Sequence, residues 1–255
     1  MTKTDKYHIE NYIKGGLRNN LITAMALKKA LSEEKDVINK KILYIRIFYE
    51  LIQIMETVIS LLYIIRHYKR IKGFWKNFIR TEICVKDICE LWQEIKRYKN
   101  REYLYFTKVL KLNVPKKMFI KENDVYIWLF KGIYIALENR TKKGTIKKSG
   151  KLIRCYNRIK HGFTLELNEN LEPILFYVRA GKKGITKIPL SYKESEVDKW
   201  VNSIKAHSIT IVNLLNLLIY RGYNGPNTMK ILKQLELVKI DKSLCLTQKN
   251  SYKKH

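Results

Sequence analysis

One segment constrains the fold of this chain more than any other, the apolar run from about residue 36 to residue 70. Its apolar side chains recur at steps of three and four, which predicts a long α-helix. They form two adjacent stripes: Ile38, Ile42, Ile45, Tyr49, Ile52, Ile59 and Tyr63, and Leu51, Met55, Val58, Leu62 and Ile65. A helix that is apolar around most of its girth has to lie at the centre of a bundle.

A narrow polar strip interrupts the apolar surface of this helix. It consists of Arg46, Glu50, Gln53, Thr57 and Ser60, with Glu56 beside it. Because burying an unpaired acid is costly, we expect Glu50 and Glu56 to have basic partners. They are candidates for structural ion pairs and also for supporting acids of a functional site.

The same apolar run raises the question of a membrane span. Charged or polar residues interrupt Ile42–Ile65, and they also interrupt a second apolar segment, Val201–Tyr220. Neither segment offers the roughly 20 uninterrupted apolar residues of a transmembrane helix. The N-terminal residues do not resemble a signal peptide. We therefore expect two buried helices in a cytoplasmic protein that has no membrane partner.

The remaining pattern predicts a mainly α protein with one domain over residues 1–247 and a disordered polar tail over 248–255. Helical periodicity marks further helices at about 5–34, 74–112, 123–140, 151–160, 195–220 and 228–238. Gly15-Gly16 is expected to bend or divide the first of these, and Ser195 to cap the helix at 195–220. Short β-rich runs predict a small antiparallel hairpin or meander, inserted between the helices at about 163–192.

The cysteines are typical of neither disulfides nor zinc. The chain has 4, at positions 84, 89, 155 and 245, and none forms a CxxC pair. We expect buried free thiols in a reducing compartment. No cluster of His, Asp and Glu has metal-ligand spacing either, so we expect no metal and no cofactor.

The net charge of the chain is strongly positive, with 51 Lys and Arg against 23 Asp and Glu, or +28. An excess of this size points to a polyanionic partner, most simply the phosphate backbone of a nucleic acid. Coding bias, which enriches Lys together with Ile, Asn and Tyr, is the alternative, although it does not explain the shortage of acids. The positive charge is densest in a loop and the segment after it, where the expected nucleic-acid contacts are Lys142, Lys143, Lys147, Lys148, Lys151 and Lys160.

A group of residues directly after this loop has the side chains that RNA cleavage requires. On a helix, Arg154 and His161 would be two turns apart and share a face, with Asn157 and Arg158 between them. An imidazole can accept the proton of an RNA 2′-hydroxyl or donate one to the leaving oxygen, because its pKa lies near neutrality. A guanidinium binds the phosphate oxygens and stabilises the charge that develops on them. The candidate catalytic residues are Arg154, Asn157, Arg158 and His161.

This segment, in which six residues including Asn157 separate Arg154 from His161, resembles the signature of the HEPN superfamily. The resemblance implies a helical bundle, usually dimeric, in which two motifs meet in one cleft. It also implies a metal-independent endoribonuclease of a toxin–antitoxin or abortive-infection system. The expected partners are then RNA, a second copy of the chain, and an antitoxin or other defence-system protein. In this chain Cys155 directly follows Arg154, where the superfamily commonly has a polar residue, so Arg158 is the alternative catalytic arginine.

Two other functions remain open from the sequence. The chain could bind nucleic acid without cutting it, through Lys142–Lys160 and its aromatic residues. It could also be a HEPN-like partner that only dimerises or binds an antitoxin. The first differs from a nuclease in leaving bound RNA intact, and the second in lacking salt-dependent affinity for nucleic acid.

Overall fold

In the computed structural model, the residues described are 3–67, 85–112, 125–141, 165–167, 173–178, 185–189 and 194–220. Most of them are helical, which confirms the mainly α class. The predicted helices at 151–160 and 228–238 and the predicted polar tail lie outside the described residues.

The first predicted helix consists of two α-helices joined by a π-helical turn. Helix α1 is Lys3–Tyr12, the π-helical turn is Ile13–Leu17, and α2 is Arg18–Glu33. The Gly15-Gly16 pair thus widens the helix locally and does not end it. After α2, the Asp36 carboxylate accepts a hydrogen bond from the backbone N–H of Asn39 at 2.8 Å. This N-terminal cap starts the next helix.

Helix α3, Val37–His67, is the long central helix that the sequence predicts. The stripe from Leu51 to Ile65 is buried within the single chain, as are Ile45, Ile52 and Ile59 of the other stripe. On that other stripe Ile38, Tyr49 and Tyr63 are half-exposed, and Ile42 is 45% exposed. The chain's own helices therefore cover most of the apolar surface of α3.

The segment predicted as one long helix or two over 74–112 is described from residue 85 onward, and there it is divided. Helix α4 is Val85–Arg97, a turn follows, and α5 is the short Glu102–Leu104, which continues as a π-helical turn over Tyr105–Val109. Helix α6 is Val125–Thr141. Cys89 on α4 is free, as expected, but its predicted burial is wrong because the polar face of this amphipathic helix carries it into solvent.

Three short strands lie in the segment between α6 and the last described helix. They are β1 (Leu165–Leu167), β2 (Pro173–Val178) and β3 (Ile185–Pro189). Each pairs antiparallel with the next in the order β1-β2-β3, with Leu165 opposite Leu175 and Phe176 opposite Lys187.

Helix α7, Glu194–Tyr220, is the main packing partner of α3. It begins one residue before Ser195, so the predicted cap lies inside the first turn. The Tyr44 hydroxyl on α3 donates to the Glu196 carboxylate at 3.0 Å, and Trp200 lies 4.4 Å from the ring of Tyr44. These contacts fix the start of α7 against α3, and helices α2 and α6 complete the core around the pair.

Helix α3 is also long and apolar enough to cross a membrane, judged by length and composition alone. Its most apolar 18-residue window has a mean hydropathy of 1.6, and 67% of that window is buried inside the protein. The core helix of a soluble protein has the same properties.

Helices α6 and α7 approach closely at Gly132. A methyl group added there would overlap the side chain of Thr210. We expect Gly132→Ala to lower the free energy of unfolding by roughly 1–3 kcal/mol, because overpacking forces the two helices apart. Gly15→Ala is the matched control, since a methyl group there meets nothing within 4 Å. Chemical denaturation measures both variants, and equal stability of Gly132→Ala and the wild type would contradict the close packing.

His207 on α7 is buried in the core, and burial lowers its pKa to about 4 from its usual 6.5. Below pH 6.5 the unfolded chain takes up a proton that the folded chain does not, so stability falls as the pH falls towards 4. The loss attributable to this group amounts to about 3 kcal/mol at most, and it is absent above pH 6.5. His207→Leu should therefore show a flatter loss of stability between pH 6.5 and pH 4 in urea titrations. An unchanged slope would mean that His207 is not held neutral.

Candidate functional site

Most residues of the predicted site lie outside the described residues. This holds for the four candidate catalytic residues Arg154, Asn157, Arg158 and His161. It also holds for the six lysines Lys142, Lys143, Lys147, Lys148, Lys151 and Lys160. The two candidate supporting acids, Glu50 and Glu56, are described.

Glu50 is half-buried on α3 and has Arg46, one turn earlier, as its electrostatic partner. Burial raises the pKa of Glu50, while the charge of Arg46 opposes that rise. The guanidinium of Arg46 also lies 5.9 Å from the centre of the Tyr49 ring, within range of a cation–π contact. Glu50 thus has a basic residue within electrostatic range on its own helix.

Glu56 lies one turn and a half further along the same half-exposed strip of α3. Beside it, the side chain of Thr57 is hydrogen-bonded to Tyr12 of α1, whose phenol pKa is raised by burial. The Thr57 hydroxyl also donates to the carbonyl of Gln53 at 3.0 Å. Helix α1 therefore covers one edge of the strip with polar contacts, while Glu56 itself stays half-exposed.

The C-terminal end of α3 carries a polar cluster that the sequence pattern did not predict. Arg66 on α3 forms an ion pair with Glu94 on α4, with Nη2 and Oε1 3.1 Å apart. The two side chains are only 26% and 20% exposed. Tyr105, fully buried in the π-helical turn after α5, lies within electrostatic range of both.

This cluster, consisting of Arg66, Glu94 and Tyr105, is only partly satisfied by hydrogen bonds among the described residues. Glu94 Oε2 and the Tyr105 hydroxyl are both buried. Neither forms a hydrogen bond within the described part of the chain. Burial raises the pKa of Glu94, against the opposing charges of Arg66 and Arg97. Burial also raises the pKa of Tyr105, so its phenol stays protonated and can act as a donor.

The neighbourhood of the cluster is aromatic. Tyr105 contacts Tyr98, Phe106 and Phe130, with ring centres 5.5–5.9 Å apart. Next to Arg66, the ring of His67 lies 4.5 Å from that of Tyr63. The low polarity of these surroundings strengthens the Arg66–Glu94 attraction and makes either charge costly without the other. The cluster is thus suited to holding α3, α4 and α5 together.

Within the described ranges, no group of three or more His, Cys, Asp or Glu side chains is arranged to hold a metal ion. Neither the known protein families, nor the curated proteins, nor the solved structures contain a match to this chain. The resemblance to the HEPN superfamily therefore depends on the motif residues alone.

The Arg66–Glu94 pair gives a test of the cluster. Arg66→Met should lower the free energy of unfolding by roughly 1–3 kcal/mol, because it leaves a half-buried carboxylate without its cation. The double variant Arg66→Met/Glu94→Leu should recover most of that loss, because it removes the stranded charge as well. Thermal and chemical denaturation at neutral pH compare the three proteins. A double variant no more stable than Arg66→Met would contradict this explanation, because removing the stranded carboxylate would then have restored nothing.

Proposed function

We propose that this chain is a metal-independent endoribonuclease of HEPN type that acts as a defence effector or toxin. The observation that carries the proposal is the placement of Arg154 and His161 at a two-turn helical spacing, directly after the most basic loop of the chain. The fold in this proposal is a HEPN-like helical bundle, with the three-stranded meander as an insertion in it. The mainly α architecture around α3 and α7 is compatible with that fold.

The chemistry follows from the residue types. His161 takes the proton of a 2′-hydroxyl, the 2′-oxygen attacks the adjacent phosphorus, and the bond from phosphorus to the 5′-oxygen breaks. The leaving 5′-oxygen receives a proton, from the same imidazole or from that of a second motif. Arg154, or Arg158 in its place, stabilises the charge on the phosphate oxygens, and Asn157 orients the phosphate or the ring. The products are a 2′,3′-cyclic phosphate and a 5′-hydroxyl end.

The proposed partners are RNA, a second copy of the chain, and an antitoxin or other defence-system protein, in the cytoplasm and without a membrane. The net charge of +28 supports RNA, because cations that neutralise phosphates release condensed counterions. The homodimer is proposed on the family resemblance alone, because most of the apolar surface of α3 is buried within one chain. Glu50 is paired with Arg46, which favours a structural role for it over a role as a supporting acid.

A non-catalytic nucleic-acid-binding protein is the second candidate. The specific observation in its favour is that the same excess of cations would serve binding whether or not the motif cuts. Affinity would then fall with added salt in the same way, but bound RNA would remain intact.

The test of the proposal is RNA cleavage in excess EDTA by the wild type, His161→Ala, Arg154→Ala and Arg158→Ala. Loss of a general acid/base typically costs on the order of 10² to 10⁴ in rate, and loss of the phosphate-stabilising arginine roughly 10² or more. His8→Ala, which alters a histidine outside the motif, is the control and should cut at the wild-type rate. The 5′-hydroxyl end is identified because a polynucleotide kinase labels it directly, and the 2′,3′-cyclic phosphate because it resists alkaline phosphatase.

Each result has a defined meaning. Undiminished cleavage by His161→Ala, or cleavage that requires a divalent metal, would contradict the proposed mechanism. If Arg158→Ala abolishes cleavage and Arg154→Ala does not, Arg158 is the catalytic arginine. If the wild type binds RNA without cutting it, the chain is the binding protein of the second candidate.

A further inference from the structure

A second concentration of positive charge lies in the described part of the chain, at the end of α4. Four cations occur within the six residues 96–101, namely Lys96, Arg97, Lys99 and Arg101, and all four are exposed. The acids of α4 come earlier, at Asp87, Glu90 and Glu94. We call residues 96–101 the basic turn.

The backbone of the basic turn is compact and ordered by its own hydrogen bonds. The N–H of Lys99 donates to the carbonyl of Lys96 at 3.3 Å, and the N–H of Arg101 to that of Tyr98 at 2.8 Å. Asn100 takes a left-handed conformation, with φ of 67°, which reverses the chain before α5. These bonds fold the six residues that carry the four cations into one compact turn.

The turn is anchored to the core beneath it. Ile95 is fully buried, and the ring of Tyr98 lies 5.9 Å from that of Tyr105. The ammonium of Lys99 lies 5.8 Å from the centre of the Tyr134 ring on α6. A charged surface on a fixed base can bind a partner with a smaller loss of conformational freedom than one on a loose loop.

Helix stability explains only half of these cations. Lys96 and Arg97 lie in the last turn of α4, where positive charge interacts favourably with the helix dipole. Lys99 and Arg101 lie beyond the helix end, where that benefit falls away. The acid that follows, Glu102, accepts a hydrogen bond from the backbone N–H of Asn100 at 3.2 Å and is thereby engaged in shaping the turn. Arg97 is in addition within electrostatic range of Glu94. Like charges that follow one another so closely in the chain repel, and a bound polyanion would relieve that repulsion.

We propose that the basic turn is a phosphate-contact surface for RNA. The choice of RNA as the polyanion rests on the proposed function, whereas the surface itself is independent of the loop and motif at 142–161. An anionic membrane is disfavoured, because membrane-surface segments place exposed apolar side chains beside their cations. The large exposed hydrophobic residues of the described chain all belong to α1, α2 and α3: Tyr7, Ile22, Met25, Val37 and Ile42.

The test compares two variants of equal charge. One carries Lys96→Gln, Arg97→Gln, Lys99→Gln and Arg101→Gln. The control carries Lys3→Gln, Lys14→Gln, Arg18→Gln and Lys35→Gln, all at exposed positions between α1 and α3. Binding is measured by fluorescence anisotropy at several salt concentrations, with an RNA hairpin that is 2′-O-methylated so that a nuclease cannot cut it.

The basic-turn variant should bind at least about tenfold more weakly at physiological salt, and its slope of log affinity against log salt should be shallower by about 3, as for the loss of four phosphate contacts. The control should change the slope by less than about 1. A second variant, Lys99→Gln/Arg101→Gln, alters only residues outside α4 and should give about half of the effect. This double variant replaces the quadruple variant in the test if circular dichroism shows that the quadruple variant unfolds at a lower temperature than the wild type.

The proposal is overturned if the quadruple basic-turn variant and the quadruple control lose RNA affinity to the same extent, because net charge alone would then account for binding. It is also overturned if the basic-turn variant keeps its RNA affinity but loses binding to phosphatidylserine vesicles, which would make this surface a membrane contact. In both cases the proposed nuclease stands if the wild type cuts unmodified RNA. If the wild type neither binds nor cuts RNA, the proposed function fails together with this inference.

Discussion

The burial of α3 is the constraint on which the rest of this structure depends. The helix has 31 residues, and its apolar side chains occupy most of its circumference. At roughly 25 cal/mol per Å² of apolar surface removed from water, leaving it exposed would forfeit much of the driving force for folding. Helices α7, α2 and α6 pack around it, and the polar strip that contains Arg46, Glu50 and Glu56 remains accessible to solvent. The need to bury α3 therefore determines how the other helices are arranged.

The core built in this way contains polar groups that are satisfied locally. The hydroxyls of Ser208 and Thr210 on α7 donate to backbone carbonyls one turn earlier, at 2.8 and 3.1 Å. Such bonds let a hydroxyl enter an apolar core without a partner from another helix. Charged groups at the edge of the core behave differently, because Glu94 depends on Arg66, which is 28 positions earlier in the chain. The ion pair thus links two helices, whereas the hydroxyl–carbonyl hydrogen bonds stay within one helix.

The distribution of charge on this framework bears on function. Acids are few, and among the described residues Glu50 and Glu94 have cationic partners, so they do not offset the exposed cations elsewhere. The exposed cations of the basic turn and the lysines near the proposed catalytic motif are separate segments of the sequence. If both contact phosphates, the bound RNA touches two segments that are well separated in the sequence. Affinity and cleavage would then be properties of different residues, which substitutions can separate.

The sequence by itself determined the mainly α class, the central place of α3, and the extents of α3 and α7 to within a few residues. It could do so because helical periodicity and burial are properties of local segments, and an all-round apolar helix has only one stable location. The sequence also led us to expect a basic partner for Glu50, and Arg46 is within electrostatic range one turn away, but the sequence did not single it out. The exposure of Cys89, in contrast, depended on which side of α4 met the core.

Only the tertiary structure decided which distant groups meet. Arg66, Glu94 and Tyr105 come from three separate helical segments, and no spacing rule relates them, because ion pairs between helices follow from packing geometry. The closeness of Gly132 to Thr210 and the exposure of the four cations of the basic turn are likewise results of how the helices pack. The chemistry of Arg154 and His161 was legible from residue type and spacing, whereas the side chains that share a surface with any given residue are set by the fold.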